Sequence, residues 1–173
     1  GDDPAEPLDV AEGQIDIAIV PAEIRLPDGA TSEAIGALEW RCFGRQGHQA
    51  FSQWGPDTWA KWPHLVVRVG DNLTSPVNVA ASAAGLGRTI AGWVPHFSAI
   101  APVLARSDLI ATLPAIVMEE TIHPYHLESR EVPFPIAPLP HAMIWSTGRN
   151  NDPDIAWLRD RLRPIIKSKF ASE

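Results

Sequence analysis

Apolar and polar positions along the chain follow two different periods, and the changes between them outline the elements. Residues 8–12 read as the end of a helix stopped by Gly13. From 14 to 20, Ile15, Ile17 and Ile19 alternate with Asp16, Ala18 and Val20, which is the period of a strand. The apolar run Ala18-Ile19-Val20 predicts cover on both faces of that strand. Residues 21–29 read as loop, and 38–43 as a second strand. After the break Gly44-Arg45-Gln46-Gly47-His48 the pattern changes. Asp57 can cap a short helix over 58–62 that Pro63 ends. Residues 65–69 form a β-branched strand running straight into the turn Gly70-Asp71-Asn72.

The next helix carries the clearest signals. Ser75 stands at its N-cap and Pro76 at its first position; Val77, Ala80, Ala81 and Ala84 share one face, and Gly85 ends it. Residues 88–94 are strand, Pro95-His96 a turn, and 97–105 a helix with Phe97, Ile100, Ala101 and Leu104 on one side. Residues 109–113 are strand again. Strands alternating with helices at this spacing predict a parallel sheet, with the carboxyl ends of the strands at a common edge. Beyond it, 114–122 reads as helix, 128–132 as an edge strand, 133–140 as a proline-rich crossing and 141–146 as strand. Asp152 caps and Pro153 opens a last helix to about Phe170, with Ile155, Leu158, Leu162 and Ile165 inward.

Composition narrows the function classes. The 173 residues, 45% hydrophobic and 20% charged, suit a globular domain or two small lobes. Seventeen prolines argue against a long helix or coiled coil. No stretch approaches the roughly 18 apolar residues of a membrane span, and no signal-peptide pattern opens the chain, so the expectation is a cytoplasmic protein without a membrane partner. A net charge of −7 argues against this chain binding DNA by itself. The basic cluster Arg159, Arg161, Arg163, Lys167 and Lys169 reads as a solvated helix face. The single cysteine, Cys42, cannot form an internal disulfide and reads as a buried, inert thiol. Trp54, Trp59 and Trp62 read as packed core, and Pro124 between His123 and His126 argues against a metal pair.

The stretch from Val94-Pro95-His96-Phe97 to Ser107-Asp108-Leu109-Ile110-Ala111-Thr112-Leu113-Pro114 resembles the effector-binding domain of LysR-type transcriptional regulators. The likeness is closest to the branch responding to aromatic compounds and flavonoids, the salicylate, nitroaromatic and nodulation regulators. Three further segments agree in order. Glu12-Gly13-Gln14-Ile15-Asp16-Ile17-Ala18-Ile19 resembles a family strand, and Arg45-Gln46-Gly47-His48-Gln49-Ala50 a family turn in which Gln49 replaces the usual proline. Trp145, Asn151-Asp152-Pro153 and Trp157-Leu158-Arg159 resemble the branch's closing pattern.

The resemblance implies an α/β fold of the type 2 periplasmic-binding-protein kind: two lobes joined by two crossing segments, with an effector in the cleft. Lobe II would be 45–140, and lobe I 1–44 with 141–173. The family's lobe I opens with a strand, a helix and a strand that have no counterpart in this sequence; neither do its winged helix-turn-helix and linker. The resemblance therefore implies an N-terminally truncated lobe I that exposes apolar surface, self-associates or recruits a partner.

Ligands of open α/β sheets bind beyond the strand carboxyl ends, where helix N-termini favour anions. His96 can donate to a phenolate or carboxylate, and Phe97 can stack on an aromatic ring; the alternative is that His96 caps or merely fills the turn while Phe97 is core. Gly70, Asp71 and Asn72 form the second such turn. Val20-Pro21 follows a lobe I strand and can face the cleft. His64 is either a pocket residue or a surface strand start. Neither cofactor nor metal is expected, and no nucleophile elbow, P-loop, dinucleotide fingerprint or zinc spacing supports an enzyme. The expected role is an inducer sensor binding a small aromatic effector. It would act as a homo-dimer or tetramer, and would reach DNA only through a helix-turn-helix domain outside this sequence. The rivals are a solute-binding protein of the same fold and an oligomerisation fragment.

Overall fold

The computed structural model describes residues 5–68 and 75–170. It divides into two compact units, residues 1–39 with 138–173 and residues 40–137. The strand beginning at Trp40 pairs within unit 2.

Unit 1 holds α1 (Ala5–Ala11), β1 (Ile17–Pro21) and β2 (Ala30–Leu38), and further on β8 (Leu139–Ser146) and α5 (Pro153–Phe170). β8 lies between β1 and β2 and is antiparallel to both. Its four buried residues alternate in facing. Met143 and Trp145 pack with Ile35, Ile155 and Ile166, whereas Ile144 packs with Val10 and Val20. The apolar run 142–145 thus marks a central strand covered on both faces.

The expectation of two-sided cover for 14–20 fails, since β1 is an edge strand and Ile19 is 44% exposed. Pro21 also belongs to β1, paired with His141, and not to the loop. β2 was missed because Ser32, Glu33 and Gly36 interrupt its apolar pattern. Gly36 sits at a bulge with φ +141, and a Cβ there would stand 2.8 Å from Phe170 Cβ.

α5 runs through Pro164 despite the helix-breaking cost of a proline. Asp152 Oδ1 accepts from the Asp154 N–H at 2.9 Å, the cap read from the sequence. Ile166, not Ile165, is buried. Eleven residues beyond Ile155 is about three full turns, whereas ten is not.

Unit 2 contains β3 (Trp40–Arg45), α2 (Pro56–Lys61), β4 (His64–Val67), α3 (Pro76–Ala83), β5 (Ile90–Val94), α4 (Ile100–Leu104), β6 (Ala111–Pro114) and β7 (Leu127–Glu131). β4 and β5 are parallel, as the alternation predicts. The third strand departs from that prediction. Ile110 makes a parallel bridge to His64, and β6 then pairs antiparallel with β3, which also carries β7 on its other edge. The helix expected over 114–122 is a 3-10 turn, Ala115–Met118, followed by further turns. α2 begins at Pro56 with Gly55 at its N-cap, so Asp57 lies inside it, not at the cap. Ser75 holds the N-cap position of α3 without a side-chain capping bond.

Two cores fill unit 2. Phe43, Leu65, Ile100, Leu104 and Leu113 make one, and Cys42, Trp59, Val77, Ala81, Ile110 and Phe134 the other. Trp54 and Trp62 pack against the second.

Candidate functional site

The parallel pair β4–β5 sends both chains toward one edge. Arg68, just past β4, donates its N–H to the Val94 carbonyl at 3.0 Å and sets its guanidinium 5.8 Å from the centre of the Trp93 ring. β4 then leads toward Gly70, Asp71 and Asn72, which lie outside the described residues. β5 ends in Pro95-His96-Phe97. His96 is extended at φ −137 and ψ 145, and its carbonyl accepts from the Ala99 N–H at 3.2 Å. A 3-10 turn, Phe97–Ala99, follows, and then α4.

This turn is held from behind. Ile100, Ala101 and Leu104 are buried against Phe43 and Leu65, while His96 and Phe97 are exposed, Phe97 by 40%. His96 stands at the N-cap position without a side-chain capping bond, and Phe97 leaves the face it was expected to share with Ile100. The cause is the tighter 3-10 winding, which shifts Phe97 away from the helical stripe. α4 has five residues, too short for a substantial helix dipole, so recognition here rests on side chains.

Other expected residues are placed elsewhere. Val20 is 2% exposed within unit 1's core, and Pro21 is half-buried beside His141. His64 opens β4, at the opposite end from the turn, and is fully buried, which corrects the surface reading. Its Nε2 lies 2.9 Å from the Trp59 carbonyl; since a carbonyl only accepts, Nε2 carries the proton. Nδ1 is then a buried lone pair with no partner among the described residues. Desolvation lowers its pKa to about 4, so His64 is neutral at neutral pH. Trp59 Nε1–H donates to Thr112 Oγ1 at 2.9 Å, and that hydroxyl lies 3.3 Å from Cys42 Sγ. Burial pushes the Cys42 thiol up to about 12, the inert state read from the sequence. Neither this network nor Arg88, which reaches into it, was foreseen.

Residues 2–165 match the LysR substrate binding domain. The chain belongs to that family. It is 26% identical to Nodulation protein D 1 of Rhizobium tropici over 151 residues, covering 85% of this chain and 48% of that protein. It is 27% identical to the HTH-type transcriptional activator NagR of Ralstonia sp over 154 residues, covering 87% and 50%. The chain thus spans about half the length of these curated relatives. The regulatory domain of MexT, a transcriptional activator in Pseudomonas aeruginosa, superposes with a TM-score of 0.79 at 25% identity, covering 91% of this chain and 76% of that one. This LysR domain accordingly has the periplasmic-binding-protein-like α/β fold, in a family of regulatory and not catalytic domains. Among its described residues no helix is long and apolar enough to cross a membrane.

Proposed function

We propose that this LysR domain is the inducer sensor of a transcriptional regulator and takes a small aromatic effector, a phenol or an aromatic acid. The observation that carries the reading is the exposed His96-Phe97 pair at the carboxyl end of β5, fixed by a buried α4, with no side-chain hydrogen bond from His96 among the described residues. An imidazole bonded to the effector's oxygen, next to a phenyl face that stacks on its ring, is complementary to that chemistry. The likeness to the aromatic-responsive branch, and the similarity to NagR and to a nodulation protein, support the same class. Gly70, Asp71 and Asn72 follow β4 and would contribute from the neighbouring strand end. His64, Val20 and Pro21 are the weaker part of the proposed set, since they lie in cores or in the other unit.

In the whole protein the domain would act as a dimer or tetramer, with DNA bound by a helix-turn-helix portion. An effector can shift such an assembly only by binding one arrangement more tightly than the other. A calorimetric screen of substituted phenols, benzoates and salicylates should find a saturable ligand. His96→Ala should weaken it by about tenfold, the worth of one hydrogen bond to a charged oxygen, without changing the circular dichroism. Unchanged affinity in that variant would remove His96 from the site.

A further inference from the structure

One side of α5 closes the core of unit 1. Ile155 and Ile166 are buried there, Arg159 sets its guanidinium 4.3 Å from the centre of the Trp145 ring, and Arg163 holds Glu33. Trp145, Asp152 and Arg159, three residues of the closing pattern shared with the aromatic-responsive branch, are thus used inside unit 1. Trp157 is not. Its side chain is 61% exposed, and Ile165, two turns further along, is 60% exposed. Arg161 between them stands with its Cζ 5.8 Å from the centre of the Trp157 ring.

Positions 154, 157, 161 and 165 follow one stripe of a helix. Here they read Asp154, Trp157, Arg161 and Ile165, and all four are exposed. An indole in the open, flanked by the apolar stem of an arginine, is the kind of surface that an interface covers. The charges on either side of it select the partner. When a second α5 is laid antiparallel about an axis between positions 157 and 158, Asp154 of each copy meets Arg161 of the other. The two Trp157 rings then meet at the centre. A parallel arrangement would instead set Asp154 on Asp154 and Arg161 on Arg161. The antiparallel one also opposes the two helix dipoles, and its two-fold symmetry closes at a dimer.

We propose that the Asp154-Trp157-Arg161 face of α5 is a self-association surface, and that its partner is a second copy of this chain seated antiparallel about a two-fold axis. The surface lies in unit 1 and goes beyond the effector reading, because it uses neither His96 nor Phe97. Exposed ion pairs add little, and one helix pair buries less than the roughly 1,200–2,000 Å² of a stable interface. The Trp157 pair therefore leads, and the dimer is weak, with a Kd on the order of 100 µM.

Sedimentation equilibrium of the chain at low ionic strength, from about 10 µM to about 1 mM, brackets that constant. The mass should climb from the monomer's 18.8 kDa toward twice that value. Trp157→Ala removes an exposed ring, so it should keep the native circular dichroism while weakening association about tenfold or more. Asp154→Lys and Arg161→Glu each bring like charges together at both ends of the seam, and each should self-associate severalfold more weakly than the native chain. Mixed in equal amounts, these two variants bring opposite charges together at both ends, and the mixture should dimerise at near-native strength. A folding defect in either variant cannot produce that rescue. His96→Ala, with no effector present, should dimerise like the native chain, so failure of the effector site and of this surface are read separately. A chain that stays monomeric throughout, leaving this face to another partner, would overturn the proposal. So would undiminished association in Trp157→Ala, a mixture no stronger than its components, or loss of the dimer in His96→Ala.

Discussion

In unit 1 the strongest polar interactions lie on the surface. Arg163 reaches from α5 to both oxygens of Glu33 on β2, at 2.7 and 2.9 Å, and also to Asp160; Arg149 bridges Asp16 and Asp152. Unit 2 also carries ion pairs, Arg45 with Asp108 and Arg130 with Glu128, and adds a polar network inside. Trp59, Thr112, Cys42 and His64 form a buried chain of neutral dipoles, with a guanidinium against the indole. Surface ion pairs are weak and screened by salt, whereas buried polar groups are strongly coupled to their surroundings and to proton uptake. Acid should therefore loosen unit 2 through a buried group, and salt should touch unit 1 through exposed ones.

The largest effect should come from protonating His64. Its folded pKa of about 4 lies below the ordinary 6.5, so between those values the unfolded chain binds the proton and the folded chain does not. Stability from this group is complete above pH 6.5 and is lost as pH falls toward 4, by up to about 3 kcal/mol. Urea unfolding at pH 7 and pH 4.5 should show that loss in the native chain and less of it in His64→Gln, which keeps a donor for the Trp59 carbonyl. An equal loss in both would contradict the assignment. Gly36→Ala comes next. A Cβ at φ +141 and 2.8 Å from Phe170 must displace the end of α5, costing about 1–3 kcal/mol in thermal or urea unfolding. The smallest change belongs to Glu33→Gln. The hydrogen bond from Arg163 holds the Glu33 carboxyl below its ordinary 4.5, so its contribution is present above that value and fades as pH falls through the lowered one. At pH 7 and low salt the variant should melt slightly below the native chain, and in 1 M NaCl the gap should close.

The same contrast explains what was legible in the sequence. Where a local signal and the tertiary packing agree, the reading held: Asp152-Pro153 opens α5, Gly85 ends α3 at φ +72, and β4 and β5 pair in parallel. Where long-range pairing decides, it did not. Polar Ser32 and Glu33 hide β2, which β8 recruits, and Ile110 turns from a parallel bridge to an antiparallel strand because β3 is there to receive it. Of the candidate site, the Pro95-His96-Phe97 turn could be read because a strand end must be followed by an exposed connection. Arg88, beside the buried network, could not, since a lone arginine between Gly87 and Thr89 looks like any solvated charge until its partners are seen.

We propose the exposed turn after β5 as the place where this LysR domain meets its effector. The most direct measurement maps amide chemical shifts of the domain against the tightest phenol found in the screen. The largest changes should fall on His96, Phe97, Ser98 and Ala99, and they should vanish together in Phe97→Ala. Saturable changes that leave these four amides in place would contradict the proposal.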